Sequence, residues 1–279
     1  MIDRDDHPRA ATVTPTALGE LAGRRIVFVN WRDLSHPRAG GAELYCQSVA
    51  ERFAAAGARV SLITAQPGGL APLEWVRGVA VRRAGGTFGV YAEALRWLRA
   101  HRRDIDAVID CQNGIPFFSP LALNRGTPIV QVLHHVHQRQ FPLYFPGPAA
   151  KVGQVLEADG SRHVYGRRPL AVVSPSSRDE AREVLQLAGA RYLVPNGVTP
   201  PERVGAKATV PTIVCVGRLV PHKRLHLLLE AVAEIRAQVP GLVVNIVGDG
   251  PDRDRLVARA AELGLSGAPG HGDGLSKSD

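Results

Sequence analysis

The stretch VGRLVPHKRL, residues 216–225, sets Arg218 and Lys223 on either side of a proline and a histidine, directly after an apolar run. A helix start already presents unpaired N–H groups and the positive end of its dipole. Cations added there oppose the local field unless an anion offsets them. Arginine offers a planar fork for phosphate oxygens and lysine a compact point charge, so the pair suits a diphosphate. The alternative is a solvated basic loop, open to any arginine-rich chain. VGDGP, residues 247–251, adds a second strand-to-glycine turn with Gly248 and Gly250 on the same predicted edge, and tips the reading toward a site.

Two further groups could do chemistry. DLSHPRAGGAE (33–43) carries Gly40 and Gly41 between a strand and a helix, where bare backbone can approach a bound group and helix N–H donors can face an anion. QVLHHVHQRQ (131–140) places His134, His135 and His137 at the carboxyl end of a predicted strand, the edge where open α/β sheets bind ligands. No carboxylate or cysteine joins these histidines, so a metal site is not expected. Cys46, Cys111 and Cys215 lie far apart in apolar stretches without CxxC spacing, which fits buried free thiols. The G-x-G-x-x-G fingerprint is missing, and the second strand, VSLIT, carries no acid for a ribose. Both facts count against a dehydrogenase.

The elements that must position these groups follow from hydrophobic period. RRIVFVN (24–30), ARVSLIT (58–64), VAVRRAG (79–85), AVIDCQN (107–113), PIVQVLHH (128–135), LAVVSPSS (170–177) and RYLVPNG (191–197) read as strands, mostly buried and parallel. AELYCQSVAERFAAAG has helical spacing, with Leu44, Val49 and Phe53 toward the core and Gly57 as the stop. The helix at 90–104 puts Arg96, Arg99 and Arg103 on one face, and Trp97 and Tyr91 beside them could sit at an interface. Such a basic face can lie on anionic lipid, although more often it is simply solvated. Residues 136–168, rich in Phe, Tyr, Pro and Gly, read as less regular. Ser176 or Ser177 caps the helix that follows. A polar, proline-bearing linker precedes a second alternation of strand 212–217, a helix, strand 242–250 and another helix. The expected plan is a flexible terminus (1–23), a Rossmann-like domain (24–200), a linker (201–211), a partial second Rossmann-like domain (212–265) and an irregular tail (266–279).

The chain has 279 residues, 45% hydrophobic and 22% charged, with a net charge of +8. That suits one large or two ordinary α/β domains and a polyanionic partner. The first twenty residues contain acids and do not read as a signal peptide, and no apolar run approaches membrane-spanning length. A cytoplasmic protein is expected, with room for peripheral contact at the inner membrane face.

GGAE, PNGV, VGRLVPHKRLHLLLEA and VGDGP, in this order from about residue 24 to about 265, resemble the retaining glycosyltransferases of family four. The resemblance implies a GT-B fold of two Rossmann-like domains, and a nucleotide-diphosphate sugar as donor to an unknown sugar, lipid or small-molecule acceptor, with no metal, cofactor or nucleic acid. It implies that Arg218 and Lys223 hold the diphosphate with Gly40 and Gly41 close by. It implies that His134, or His135 if the register shifts by one, contacts the transferred sugar. The family's paired glutamates lie beyond GDGP, and no counterpart is found in GAPGHGDGLSKSD, so a truncated chain is expected. A catalytically inactive fragment and a sugar-nucleotide epimerase of similar architecture are the alternatives.

Overall fold

The computed structural model describes residues 19–198 and 205–265; residues 1–18, the start of the linker and the tail from 266 lie outside them. The chain divides into two compact units, Met1–Thr199 and Pro200–Asp279.

The first unit is built on β1 (Arg25–Val29), β2 (Arg59–Thr64), β3 (Leu73–Val76), β4 (Val79–Arg83), β5 (Ala107–Gln112), β6 (Ile129–Leu133), β7 (Leu170–Val172) and β8 (Arg191–Leu193). They form one eight-stranded sheet in the order β3-β4-β2-β1-β5-β6-β7-β8. All pairs are parallel except β3 with β4. Burial on both faces explains the unbroken apolar runs. Ile26 and Phe28 face one core with Cys46 and Ala50, while Val27 and Val29 face the other with Val90, Ala94 and Leu98.

Helix α1 (Gly41–Ala55) covers the first face and α2 (Gly86–His101) the second. The side chain of Leu44 is exposed rather than buried. The buried stripe of α1 is Glu43, Cys46, Gln47 and Ala50, with Val49 and Phe53 packed at its margin. Tyr91 packs on Phe117 inside the core, and Trp97 stacks on His101 at 4.0 Å beneath the Arg82 guanidinium.

Residues 136–168 are not irregular. They hold α3 (Phe141–Tyr144), α4 (Gly147–Val155), a π-turn (Leu156–Gly160) and α5 (Ser161–Tyr165), the last three running end to end. The cap of α6 (Pro175–Glu183) is Ser174, whose Oγ accepts from the Ser177 N–H; Ser176 and Ser177 lie inside the first turn. Cys46 and Cys111, far apart in sequence, bring their sulfurs to 3.8 Å in the core, while Cys215 is only half-buried.

The described part of the second unit pairs β9 (Thr212–Val216) with β10 (Val243–Val247) in parallel. Helices α7 (Leu225–Ile235) and α8 (Arg253–Glu262) pack on one side through Leu225, Leu229 and Leu256, together with Leu219 from the loop after β9.

Candidate active site

In the first unit the parallel strands end at a common edge. Asn30 follows β1, Asn113 follows β5 and His134 follows β6. Asn113 Nδ2 donates to Asn30 Oδ1 at 2.6 Å, and Asn30 Nδ2 donates to the Arg32 carbonyl at 2.8 Å. These bonds hold the chain as it leaves the sheet toward the glycine turn.

That turn is fastened by charge. Asp33 accepts from the Ser35 N–H at 2.8 Å and from Arg83 Nε. Arg83 stands at the end of β4, 1% exposed, and also donates to Glu74 at 2.7 Å and the Ala71 carbonyl at 2.9 Å. A buried guanidinium persists only when its donors are met, so this contact ties the loop after β1 to the β3–β4 edge. Glu43 folds back from the first turn of α1 to accept the Gly40 N–H at 2.7 Å, and it pairs with Arg32 at 3.4 Å. Arg32 in turn donates to the Arg38 carbonyl at 2.6 Å. The Gly40 N–H is therefore committed to Glu43. A Cβ at Gly41 would meet nothing within 4 Å, so the unit's own packing does not demand glycine there.

His134 is largely buried at the end of β6 and packs edge to face on Tyr45 of α1. Its carbonyl accepts from Ser177 Oγ at 3.1 Å. Its Nε2 is buried with no hydrogen-bond partner among the described residues. Burial pushes the imidazole down to about 4, so His134 is a neutral ring at pH 7 with an unmet ring nitrogen. His135 is exposed, and burial followed by its neighbour His137 lowers its pKa. Among the described residues, no three His, Cys, Asp or Glu side chains gather as a metal site would require.

In the second unit the loops after β9 and β10 lie backbone to backbone. Gly217 N donates to the Val247 carbonyl at 3.0 Å and Leu219 N to the Asp249 carbonyl at 2.9 Å, extending the parallel pairing past the strands. A Cβ at Gly248 would stand 1.9 Å from Gly217 O, and one at Gly250 would stand 2.2 Å from Leu219 O. Glycine is obligatory at both. Arg218 is exposed on this edge beside the buried anchor Leu219. Lys223 ends a short 3-10 turn (Pro221–Lys223) and does not begin a helix; Arg224, at φ +53, separates it from α7. Neither the Arg218 nor the Lys223 side chain has a hydrogen-bond or ion-pair partner among the described residues. By contrast, Arg255 and Arg259 of α8 are paired with Asp252, Glu230 and Glu262. The structure thus places Arg218 beside Gly248 and Gly250 on one edge of the second unit, with Lys223 in the 3-10 turn that follows, and Gly40, Gly41 and His134 on one edge of the first.

The model of Glycosyltransferase Family 4 matches residues 39–201, more than half the chain. This chain belongs to that family. The model of Glycosyl transferases group 1 follows at once, over residues 201–268. Among solved structures, a glycosyltransferase from Rickettsia africae superposes at a TM-score of 0.57 with 16% identity, covering 87% of this chain and 66% of that one. The catalytic domain of starch synthase IV from Arabidopsis thaliana, bound to ADP and acarbose, superposes at 0.54 with 12% identity, covering 88% and 73%. At such identities these neighbours show the α/β, GT-B type of fold alone. Among curated relatives, a GDP-mannose-dependent α-(1-6)-phosphatidylinositol monomannoside mannosyltransferase of Mycolicibacterium smegmatis is 41% identical over 56 residues, 20% of this chain and 15% of that protein. A lipopolysaccharide core glycosyltransferase of Rhizobium meliloti is 38% identical over 65 residues, 23% and 18%. The matched stretches therefore span less than a fifth of either relative's length. For a family-four member, the residues that pattern alone missed are Asp33, Glu43, Tyr45 and Arg83. Only the E of GGAE carried a signal, as an acid three residues past a glycine N-cap.

Proposed function

We propose that this chain transfers a sugar from a nucleotide-diphosphate sugar to an acceptor with retention of anomeric configuration. The observation that carries the reading is the pair of exposed cations, Arg218 and Lys223, without acidic partners among the described residues, on a glycine-shaped loop at the carboxyl edge of the second unit's sheet. Two fixed cations stabilise a diphosphate most as the glycosidic bond breaks and negative charge grows on the leaving oxygen. In that role they need no metal ion beside them. The open surface at Gly41 supports close approach of a ligand to the backbone there. The unmet ring nitrogen of neutral His134 supports a hydrogen bond to a sugar hydroxyl. In the retaining scheme the leaving phosphate takes the acceptor's proton on the same face of the sugar, so no side-chain nucleophile is required.

The names of the curated relatives make GDP-mannose the first donor to test and a lipid-linked sugar the first acceptor class. Peripheral contact with an anionic membrane is part of the proposal, through the exposed end of α2. There Arg96, Arg99, Arg102 and Arg103 line a shallow concavity of about 440 Å³.

Calorimetry of the full chain with GDP-mannose and with UDP-glucose tests the donor half. Arg218→Ala and Lys223→Ala should each weaken binding about tenfold or more, the worth of a charge-assisted hydrogen bond. Binding that neither substitution changes overturns the reading.

A further inference from the structure

Glu157 is wholly buried, with the ring of His137 3.5 Å from its carboxylate. It sits in the π-turn that joins α4 to α5, a rare distortion found often at functional sites. Its carboxylate accepts from the His137 backbone N–H at 2.7 Å and from Gln138 Nε2 at 2.9 Å. Gln138 and Gln154 then clasp each other through reciprocal amide-to-carbonyl bonds of 2.9 and 2.8 Å. The loop after β6 is thereby pinned to the helical run, next to the turn at Gly114, where a Cβ would lie 3.6 Å from His137 Cγ.

The contacts to the His137 ring set its chemistry. Nδ1 lies 2.9 Å from the His135 carbonyl and 3.5 Å from Glu157 Oε1. A carbonyl and a carboxylate only accept, so Nδ1 must carry the hydrogen, and Nε2 of the neutral ring is left as a lone-pair acceptor. The ring is about a quarter exposed, at the same sheet edge as His134.

We propose that His137, held as its Nδ1–H tautomer by the His135 carbonyl and by Glu157 together, accepts a hydrogen bond from a hydroxyl of the sugar substrate through Nε2, with Glu157 as a positioning residue that also fixes the His137 backbone. The tautomer stands on geometry alone; the identity of the ligand rests on the sugar-transfer reading.

Long-range proton–nitrogen spectra of the full chain carrying ¹⁵N-histidine test both halves, with the His137 signal assigned by its loss in His137→Gln. The wild-type ring should show a hydrogen on Nδ1 and a bare Nε2. Glu157→Gln should shift it toward the Nε2–H form, because an amide N–H₂ replaces one of the acceptors. If that variant does not fold, Gln138→Ala, which leaves Glu157 in place, should keep the Nδ1–H form. A wild-type Nε2–H ring, or a tautomer indifferent to Glu157→Gln or altered by Gln138→Ala, overturns the positioning role. Millimolar GDP-mannose or methyl α-mannopyranoside should move the Nε2 resonance; no movement with either overturns the substrate contact. Failure of Arg218→Ala to weaken donor binding would count against sugar transfer alone and leave the tautomer result intact.

Discussion

Tyr45 and His134 meet edge to face, their ring centroids 4.9 Å apart and their planes at 85°. One ring rides on the helix that begins at the glycine turn, and the other closes β6, so a single aromatic contact links both parts of the first unit's site. Such a contact contributes about 1 kcal/mol beyond the area it buries. It also helps keep water from the imidazole, and burial is what holds His134 neutral. Tyr45→Ala should therefore let the His134 pKa climb from about 4 back toward 6.5, while Tyr45→Phe should leave it low. An NMR titration of the His134 ring signals measures both.

The same burial makes stability depend on pH. The unfolded chain takes up the His134 proton near 6.5 and the folded chain only near 4. The contribution of the neutral ring is thus present in full above 6.5 and lost progressively as the pH falls toward 4. His134→Gln should flatten the urea midpoint across that window. All three tryptophans, Trp31, Trp75 and Trp97, lie in the first unit, so their fluorescence follows this unit by itself.

Arg83→Ala should be among the most damaging single changes in the first unit. It strips Asp33, only 3% exposed, of its counter-charge and unties the glycine turn from the β3–β4 edge. Removing one partner of a buried ion pair costs about 3–5 kcal/mol. Arg83→Lys should recover part of that, since lysine can reach Asp33 but cannot also serve Glu74 and Ala71 with a fixed fork. Urea unfolding followed by tryptophan fluorescence is the check, and two variants of equal stability would count against the argument.

The strands around the site were legible because burial on both faces writes them as continuous aliphatic runs, as at Ile26–Val29 and Val79–Val81. β3 was not, being four residues long and mostly exposed, with its hairpin turn at Arg77 and Gly78 both at positive φ. The helices of 141–165 escaped notice for a different reason. Their packing face is partly written in missing side chains. Phe141 lies over Gly153 and Phe118 over Gly160, so the apolar period has gaps where the contacts are closest. Arg218, Lys223, Gly248 and Gly250 stood out in the sequence because they sit on short loops at fixed offsets from two strands. Arg83 and Asp33 did not, because their meeting depends on the order of strands in the sheet and not on spacing along the chain.

Gly248→Ala and Gly250→Ala should each distort the edge that carries Arg218. Both glycines have positive φ, +148 and +157, and an added Cβ would strike backbone oxygens that no rotamer change can move. The strain is of order 1–3 kcal/mol per site if the loops stay in place. The expected outcome is faster amide exchange at Gly217 and Leu219, whose N–H groups bond across to Val247 at the end of β10 and to Asp249 in the loop after it, together with weaker binding of GDP-mannose. Unchanged exchange at both amides would show that the loops tolerate separation.

Asp110, fully buried on β5, offers the sharpest test of the first unit's interior. Its carboxylate accepts the Tyr165 hydroxyl and, at 3.3 Å each, the backbone N–H groups of Phe117 and Ser119. Burial pushes its pKa above the ordinary 3.8, and those hydrogen bonds pull the other way without cancelling it. A carboxyl raised on folding contributes stability that is present in full below the unfolded value and is lost as the pH climbs through the folded one. Asp110→Asn should therefore remove a decline in stability on the alkaline side of 3.8, whatever it costs in hydrogen-bond geometry. Tyr165→Phe should act in the opposite direction. It deletes the donor, leaves the carboxylate partly unmet at a cost of about 1–3 kcal/mol, and drives the pKa of Asp110 higher, so the decline starts at the same pH but runs on to a higher one and is deeper. Urea midpoints of the wild type and both variants between pH 4 and 8 separate these slopes, and parallel curves for all three would show that Asp110 does not titrate differently on folding.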